Sequence, residues 1–519
     1  MFPKSSDHDG SDVEKSEKLG APVYEDNDGA VHHESFEIGN TLYARLQRVA
    51  GKFGIEQRGI ERVPEDERTD KGLLKVATLW CSANMVVSSF AIGVLGRTLF
   101  FTGFGDGVLT ILLINLLGIT PVCFFSAFGP KFGLRQMILS RYWFGYYGVK
   151  VVALLNCVAC IGWSSVNTIV GSQLINAVNP NVPGWAGCLI IALCTFFVTL
   201  FGYKVVHSYE MWSWIPCFIV FLIILGEFAH SGAFMNIPMG VGSSEVSAVL
   251  SFAATIYGFA TGWTSYAADY TVYQPATTSR TRCFLWTWIG LIIPLCFTEM
   301  LGLAVATAYV SGDDSVSYTS NYDTAGIGGL LATVLVPPLG GFGQFCMIIL
   351  ALGIIANNCP NIYSLSLSLM VLAKWTQAVP RFIWTFLGTG VYIAIAIPGY
   401  SNFEQSLETF LNLIGYWLAI YEGVSITDHF IFKKTIRAYD PSIYANPRLL
   451  PVGIAAIGAF LFGILGAAMG MSQSWFVGPI AKIIGEPPFG ADIGFELAFS
   501  FTATTYIIFR TIELRVVGR

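Results

Sequence analysis

Charge is what this sequence has least of. Only 12% of its 519 residues are Asp, Glu, Lys or Arg, where a soluble domain carries about 25%. Histidine is scarce as well: His8, His32 and His33 near the start, then His207, His230 and His429, scattered. Without His, Asp or Cys clustered inside the apolar runs, the chain lacks the groups a membrane enzyme would need. Among the 11 cysteines no CxxC pair brackets a pair of histidines. Only Cys157 and Cys160 are close, and both lie in an apolar run. They read as small buried hydrophobes, which excludes a disulfide framework or a zinc site and leaves no metal expected. The net charge of −5 offers no basic surface to a nucleic acid. No basic-then-apolar leader opens the chain.

What fills the space is hydrophobic. Apolar residues make up 54% of the chain and the mean hydropathy is +0.60. Residues 1–70 are polar and charge-rich and read as a disordered cytosolic tail, with a short amphipathic helix expected near Leu42 to Val49. About twelve apolar spans follow, each of the roughly 20 residues a bilayer requires. They fall at 76–97, 107–128, 149–178, 185–203, 208–228, 246–266, 284–310, 343–372, 380–397, 405–425, 452–470 and 491–510. The apolar segment 326–340 is too short to cross and reads as re-entrant or interfacial. The expected organisation is a transporter core over 71–430, a cytosolic loop at 431–451, two further helices within 452–510 and a cytosolic tail at 511–519. Charge placement fixes the orientation. With the N-terminus inside, the outer connections hold only Arg97 and Lys482 of the 29 Lys and Arg residues. That bias puts both termini in the cytosol.

Polar residues inside the spans carry the functional signal. The stretch Phe345–Leu372 holds Asn357, Asn358, Pro360 and Asn361 in its middle. An unpaired amide in hydrocarbon costs on the order of several kcal/mol, and the proline removes a backbone donor besides. Such a cluster either faces a polar cavity or joins neighbouring helices; three asparagines around one proline favour the cavity. The first span carries Ser82, Asn84, Ser88 and Ser89, and the sixth carries Gly258 and Gly262 with Thr261, Trp263, Thr264 and Ser265. Interrupted helices at corresponding places in two halves point to an inverted-repeat transporter. For the two glycines, close helix packing is an equal reading. Trp163 and Asn167, four residues apart, share one helical face. A Trp ring beside an amide suits a flat neutral heterocycle, by stacking and by two-point hydrogen bonding, and Trp263 could close the sandwich. Of the few acids, Glu210, Asp269 and Glu422 fall near span ends, where they read as solvated. Glu227 is also near an end, and Glu299 is the most deeply embedded. Intramembrane acids are candidates for proton coupling.

The stretches GIERVPEDERTDKG, WSSVN, GWTSYAADY and IANNCPNIYS together resemble the fungal purine–cytosine permeases of the nucleobase–cation symporter-1 family, from about residue 55 to the C-terminus. The resemblance implies an all-α membrane protein of the LeuT type, twelve helices with two inverted five-helix repeats and broken first and sixth helices. It implies proton-driven uptake of cytosine, adenine, guanine or hypoxanthine across the plasma membrane, by alternating access in which spans 1, 2, 6 and 7 rock against the rest. Carried over by motif, the substrate site would be Ser89, Trp163, Asn167, Trp263, Asn358 and Asn361, with Asn167 and Asn358 reading the ring edge. Sodium-coupled bacterial relatives hold their ion with hydroxyls of the eighth helix. Here that stretch reads IILALGII, without a Ser or Thr, and a hard cation wants oxygen ligands. The proton is therefore the expected coupling ion, with no other cofactor, and Glu299 and Glu227 are its candidate carriers. The nearest rival is a pyridoxine or thiamine transporter of the same family, the second needing a pocket acid that neither tryptophan has beside it. A membrane enzyme, a channel, a receptor or a nutrient sensor stands further off. Lys15 and Lys18 in the tail are candidate contacts for ubiquitin or trafficking machinery.

Overall fold

A computed structural model describes residues 23–25, 31–33, 59–200, 209, 211–377, 379–488 and 490–519. Lys15, Lys18, Glu210 and the helix expected near 42–49 lie outside them. All twelve expected spans coincide with helices. The first is a bent pair, α1 (Leu73–Asn84) and α2 (Val87–Thr98), at 51° to one another. Then come α3 (Phe104–Ser126), α4 (Arg141–Val178), α5 (Gly184–Leu200) and α6 (Trp214–Ser231). The sixth span is α7 (Ser243–Thr261) continued by a 3-10 segment, Thr264–Tyr270. After it lie α8 (Arg280–Ala306), α9 (Ser317–Leu339), α10 (Gly341–Leu372), α11 (Arg381–Gly399) and α12 (Phe403–Thr427). The chain ends with α13 (Ile454–Gly470) and α14 (Gly494–Val517). Counting the bent pair as one, eight segments among the described residues are long and apolar enough to cross a bilayer, and one of these, Arg381–Lys433, contains two expected spans. Segment α9 is broken at Ala325 and Gly326, the latter at φ 58°, which sets residues 327–339 off as a short apolar helix.

Two packing groups emerge. Helices α1, α2, α3, α7 and α8 pack on one another, and α4, α5, α9, α10 and α11 form a second group around the α4–α10 pair. Helix α12 packs against α7, α4 and α14, and α13 pairs with α14. Both breaks lie in the first group, and each is held by side chains from outside its own helix, as described below.

Three boundaries differ from the sequence reading, each because a polar residue finds a buried partner. Residues 59–70, assigned to the tail, are packed: Arg68 is 2% exposed and donates to the carbonyls of Val63, Pro130 and Phe132. The tail also contains an antiparallel pair of strands, β1 (Val23–Glu25) and β2 (Val31–His33). At the other end, residues 511–517 continue α14, because Glu513 accepts the Ile454 N–H at 3.1 Å, at the start of α13, and takes Arg510 at 2.5 Å. Finally, α12 runs on as a π-helical segment, Asp428–Lys433, so Glu422 lies well inside its span instead of at a solvated end.

Candidate functional site

The site is built where the two breaks meet α4 and α10. Breaking a helix frees main-chain groups that must find partners away from water. Here they do. The Ala83 carbonyl accepts Asn357 Nδ2 from α10, and the Asn84 carbonyl accepts Ser89 Oγ at 2.7 Å. Asn84 itself donates to Trp80 O at 2.8 Å and accepts Trp263 Nε1 at 3.1 Å, tying the first break to the second. Asn167 on α4 completes the junction: its Oδ1 accepts Ser88 Oγ at 2.7 Å and its Nδ2 donates to Asn357 Oδ1 at 2.6 Å. Asn361, one turn beyond Asn357, donates back to Asn357 O at 3.0 Å and accepts the Tyr266 hydroxyl at 2.7 Å. Every one of these side chains is buried, the most exposed being Trp263 at 4%.

Aromatic rings line this polar junction. Trp163, one turn before Asn167, is met edge-on by Phe259 (5.3 Å between centroids) and Phe410 (5.1 Å). Trp263 is met by Trp80 (5.5 Å) and Tyr266 (5.7 Å). Gly262, the residue before Trp263, stands against Trp163: a Cβ there would lie 3.3 Å from the Trp163 ring. Gly258 does other work, since a Cβ there would lie 2.0 Å from the Leu411 carbonyl. Of the two readings left open for these glycines, Gly258 fits close packing and Gly262 fits the break. Beyond Phe410 a cleft of about 480 Å³ opens, lined by Gln405, Ser406, Thr409, Phe410, Leu413 and Ser474.

The structure therefore brings Trp163, Asn167, Trp263 and Asn361 together. Ser89 serves its own break, and its neighbour Ser88 is the one that reaches Asn167. Asn358, expected to act with Asn167, turns towards α5, where it donates to Thr195 Oγ1 at 3.4 Å and leaves its Oδ1 without a partner. Asn357 holds the place beside Asn167. A motif names the residues but not the helical phase in which they stand, and Pro360 within α10 makes that phase hard to read from spacing. Asn84 was visible as a polar residue in the first span; Tyr266 carried no signal of its own.

The acids divide clearly. Glu299 on α8 is fully buried and accepts Asn115 Nδ2 from α3 at 2.6 Å. Glu227 is half-exposed near the end of α6 and makes none of the bonds of the junction. Glu422, read as solvated, is 2% exposed and accepts hydroxyls of Tyr257 and Thr261 from α7. Asp269 is likewise buried, its Oδ1 accepting the Gln136 N–H at 2.7 Å. Among the described residues no group of His, Cys, Asp and Glu could hold a metal ion.

The arrangement can recognise a flat ring. Both functional ends of the Asn167 amide are engaged, one by a donor and one by an acceptor. A heterocycle presenting an adjacent acceptor and donor can replace those two partners one for one, while the tryptophans offer faces for stacking.

A family model described as permease for cytosine/purines, uracil, thiamine, allantoin matches residues 62–478. The chain is 59% identical to "Purine-cytosine permease fcyB" of Emericella nidulans over 95% of this chain and 96% of that one. It is 44% identical to "Purine-cytosine permease FCY21" of Saccharomyces cerevisiae, over 95% and 93%. "Vitamin B6 transporter TPN1" of the same yeast is 30% identical, over 92% and 90%. Among solved structures, Mhp1, a nucleobase–cation–symport-1 family transporter in a closed conformation with bromovinylhydantoin bound, superposes with a TM-score of 0.67. The match covers 89% of this chain and 96% of that one at 12% identity, a likeness of fold. That fold is the LeuT-type arrangement that the family resemblance implied.

Proposed function

The chain belongs to the family of permeases for cytosine/purines, uracil, thiamine and allantoin, as a multi-pass purine–cytosine permease of nucleobase–cation symporter-1 type, and on that premise we propose that it imports cytosine and purine bases across the plasma membrane with a proton. The observation that carries the reading is the buried junction of Ser88, Asn167 and Asn357 at the break of the first helix, flanked by two tryptophans. The nucleobase stacks against Trp163 and Trp263, and its ring edge takes over the hydrogen bonds of the Asn167 amide. Asn361 holds Tyr266 and so sets the 3-10 half of the sixth span. Binding energy spent at this junction favours movement of α1, α2, α3, α7 and α8 against the α4–α10 group, which exposes the site to one side and then the other.

Proton coupling rests on the apolar IILALGII stretch, which offers no side-chain oxygen to a sodium ion, and on Glu299 and Glu422, buried acids that pair with no Lys, Arg or His among the described residues. Both termini face the cytosol in this reading, and the cleft beyond Phe410 faces outside, as the Lys and Arg bias directs. The vitamin transporter reading is less well supported: the vitamin B6 relative stands at 30% identity against 59% for the purine–cytosine one. Uptake of radiolabelled cytosine with unlabelled adenine, uracil and pyridoxine as competitors tests the substrate assignment. Competition by adenine but not by uracil or pyridoxine is expected; blockade by pyridoxine alone would overturn it.

A further inference from the structure

Glu422 stands on α12, and among the described residues every hydrogen bond of its side chain is to the sixth span. Its Oε2 accepts the Tyr257 hydroxyl at 2.7 Å and its Oε1 accepts Thr261 Oγ1. Thr261 Oγ1 is in turn 3.0 Å from Thr264 Oγ1. Thr261 is the last residue of α7 and Thr264 the first of the 3-10 segment, so this carboxyl grips the break from both sides. Between the two threonines lie Gly262 and Trp263, and Trp263 Nε1 bonds Asn84 at the first break. A continuous set of contacts thus leads from one ionisable group to the substrate junction. The Glu299 side chain, by contrast, hydrogen-bonds only Asn115 among the described residues.

No Lys, Arg or His pairs with Glu422 among the described residues. The groups facing it are otherwise engaged. On the 3-10 segment Asp269 is held by the Gln136 N–H and its carbonyl by Arg135. On the same segment Tyr266 bonds Asn361 and Tyr270 bonds Pro360 O. On α12 itself Tyr421 bonds Gln136 and Ser140. On α4 Arg141 donates to Tyr444 O and Tyr142 to Asp440 O, while Cys157 and Cys160 are buried thiols. On α14 Glu496 follows Phe495, which stacks on the Tyr257 ring at 3.9 Å, so a second acid stands near Glu422's hydroxyl donor. Arg510 and Glu513 pair with each other, and Arg510 also reaches Asp428, which is six residues or about 9 Å along the helix from Glu422.

We propose that Glu422 is the residue that carries the coupling proton and positions the sixth-span break according to its protonation state. This rests on the proton-symport reading above. The chemistry is a reversal of hydrogen-bond direction. A carboxylate only accepts, whereas a carboxylic acid donates one O–H. The ionised group takes an O–H from Tyr257 and one from Thr261. When a proton from the outer solution binds Oε1, that oxygen donates to Thr261 Oγ1, and the Thr261 O–H turns to Thr264 Oγ1. The bond on the residue after Trp263 changes, and the orientation of the Trp263 ring with it. Release of the same proton to cytosolic water from the inward-open state resets the break.

The test uses the purified full chain in proteoliposomes, with labelled cytosine and a proton-sensitive dye read in parallel. In the wild type, cytosine entry is expected to draw protons in. Glu422→Gln is expected to abolish that proton movement and to leave cytosine exchange that no longer varies with pH, a change that a merely structural role would not produce. Glu299→Gln is expected to keep the proton movement. Cytosine-driven proton entry persisting in Glu422→Gln would overturn the proposal. A wild type that carries cytosine without protons would instead overturn the symport reading, before any variant is compared. Should Glu422→Gln fail to fold, Thr261→Val read in the same assay is expected to shift the pH profile of uptake, and an unshifted profile counts against the proposal.

Discussion

At the scale of single residues, the account turns on amides that are buried and fully engaged. Asn167 satisfies Ser88 and Asn357 at once, so truncation strands a donor on one side and an acceptor on the other. An unmet buried partner costs about 1–3 kcal/mol, and a similar loss falls on a substrate that uses the same amide. Asn167→Ala is therefore expected to weaken cytosine binding by roughly 10- to 100-fold while the protein still reaches the membrane. Competition binding on membranes reads this directly, and an unchanged affinity would remove Asn167 from the site. Asn357→Ala is expected to weaken binding as well, because it strands the Ala83 carbonyl at the first break. Asn358→Ala is expected to weaken binding less, because its side chain is directed to Thr195 on α5; an equal loss in both would show that the two asparagines exchange places during the cycle.

At the scale of elements, two glycines four residues apart make opposite predictions. A methyl group on Gly258 would stand 2.0 Å from the Leu411 carbonyl, a backbone atom that cannot step aside without moving α12. Gly258→Ala should thus lower the thermal midpoint of the purified protein by several degrees. The same methyl group on Gly262 meets Phe259 O at 3.0 Å and the Trp163 ring at 3.3 Å. Gly262→Ala should leave the fold largely intact and alter the apparent affinity for cytosine, read by uptake over a range of concentrations. These elements were legible in the sequence to different depths. The twelve spans could be read because each is bounded by charge or by Pro and Gly clusters, and the breaks because Asn84 and Gly262 are costly inside a membrane helix. The position of Glu422 was not legible. Asp428 and the lysines after it look like the end of a helix, yet the π-helical segment carries the chain on through them, since Asp428 is neutralised by Arg510 from α14. The ordered segment 59–70 was hidden for a similar reason: Arg68 looks solvated until three carbonyls are found around it. Phase was the remaining difficulty, because Ser88 and Ser89, or Asn357 and Asn358, differ by a hundred degrees of helix and by nothing in composition.

At the scale of the whole molecule, both faces of the site are tied shut. On one side Arg135 donates to the Asp269 carbonyl at 2.8 Å and to the Tyr363 hydroxyl at 2.9 Å, joining the sixth span to α10. On the other, Glu404 of α12 accepts Thr98 of α2 at 3.0 Å and the Tyr322 hydroxyl of α9. Alternating access requires these ties to open in turn. Arg135→Ala is expected to favour the inward-open form and so to lower the affinity for external cytosine, with the uptake concentration curve as the check. Ser406→Cys, on the cleft beyond Phe410, is expected to react with a membrane-impermeant maleimide in intact cells; labelling only after lysis would reverse the orientation.

The central claim is that this fold concentrates a nucleobase by using the proton gradient. The accumulation ratio of radiolabelled cytosine in cells expressing the chain, with and without a protonophore, tests it most directly. The account predicts cytosine concentrated well above its external level and falling to that level when the protonophore is added. Accumulation that survives the protonophore, or cytosine that never rises above the external level although the protein is at the surface, would contradict it.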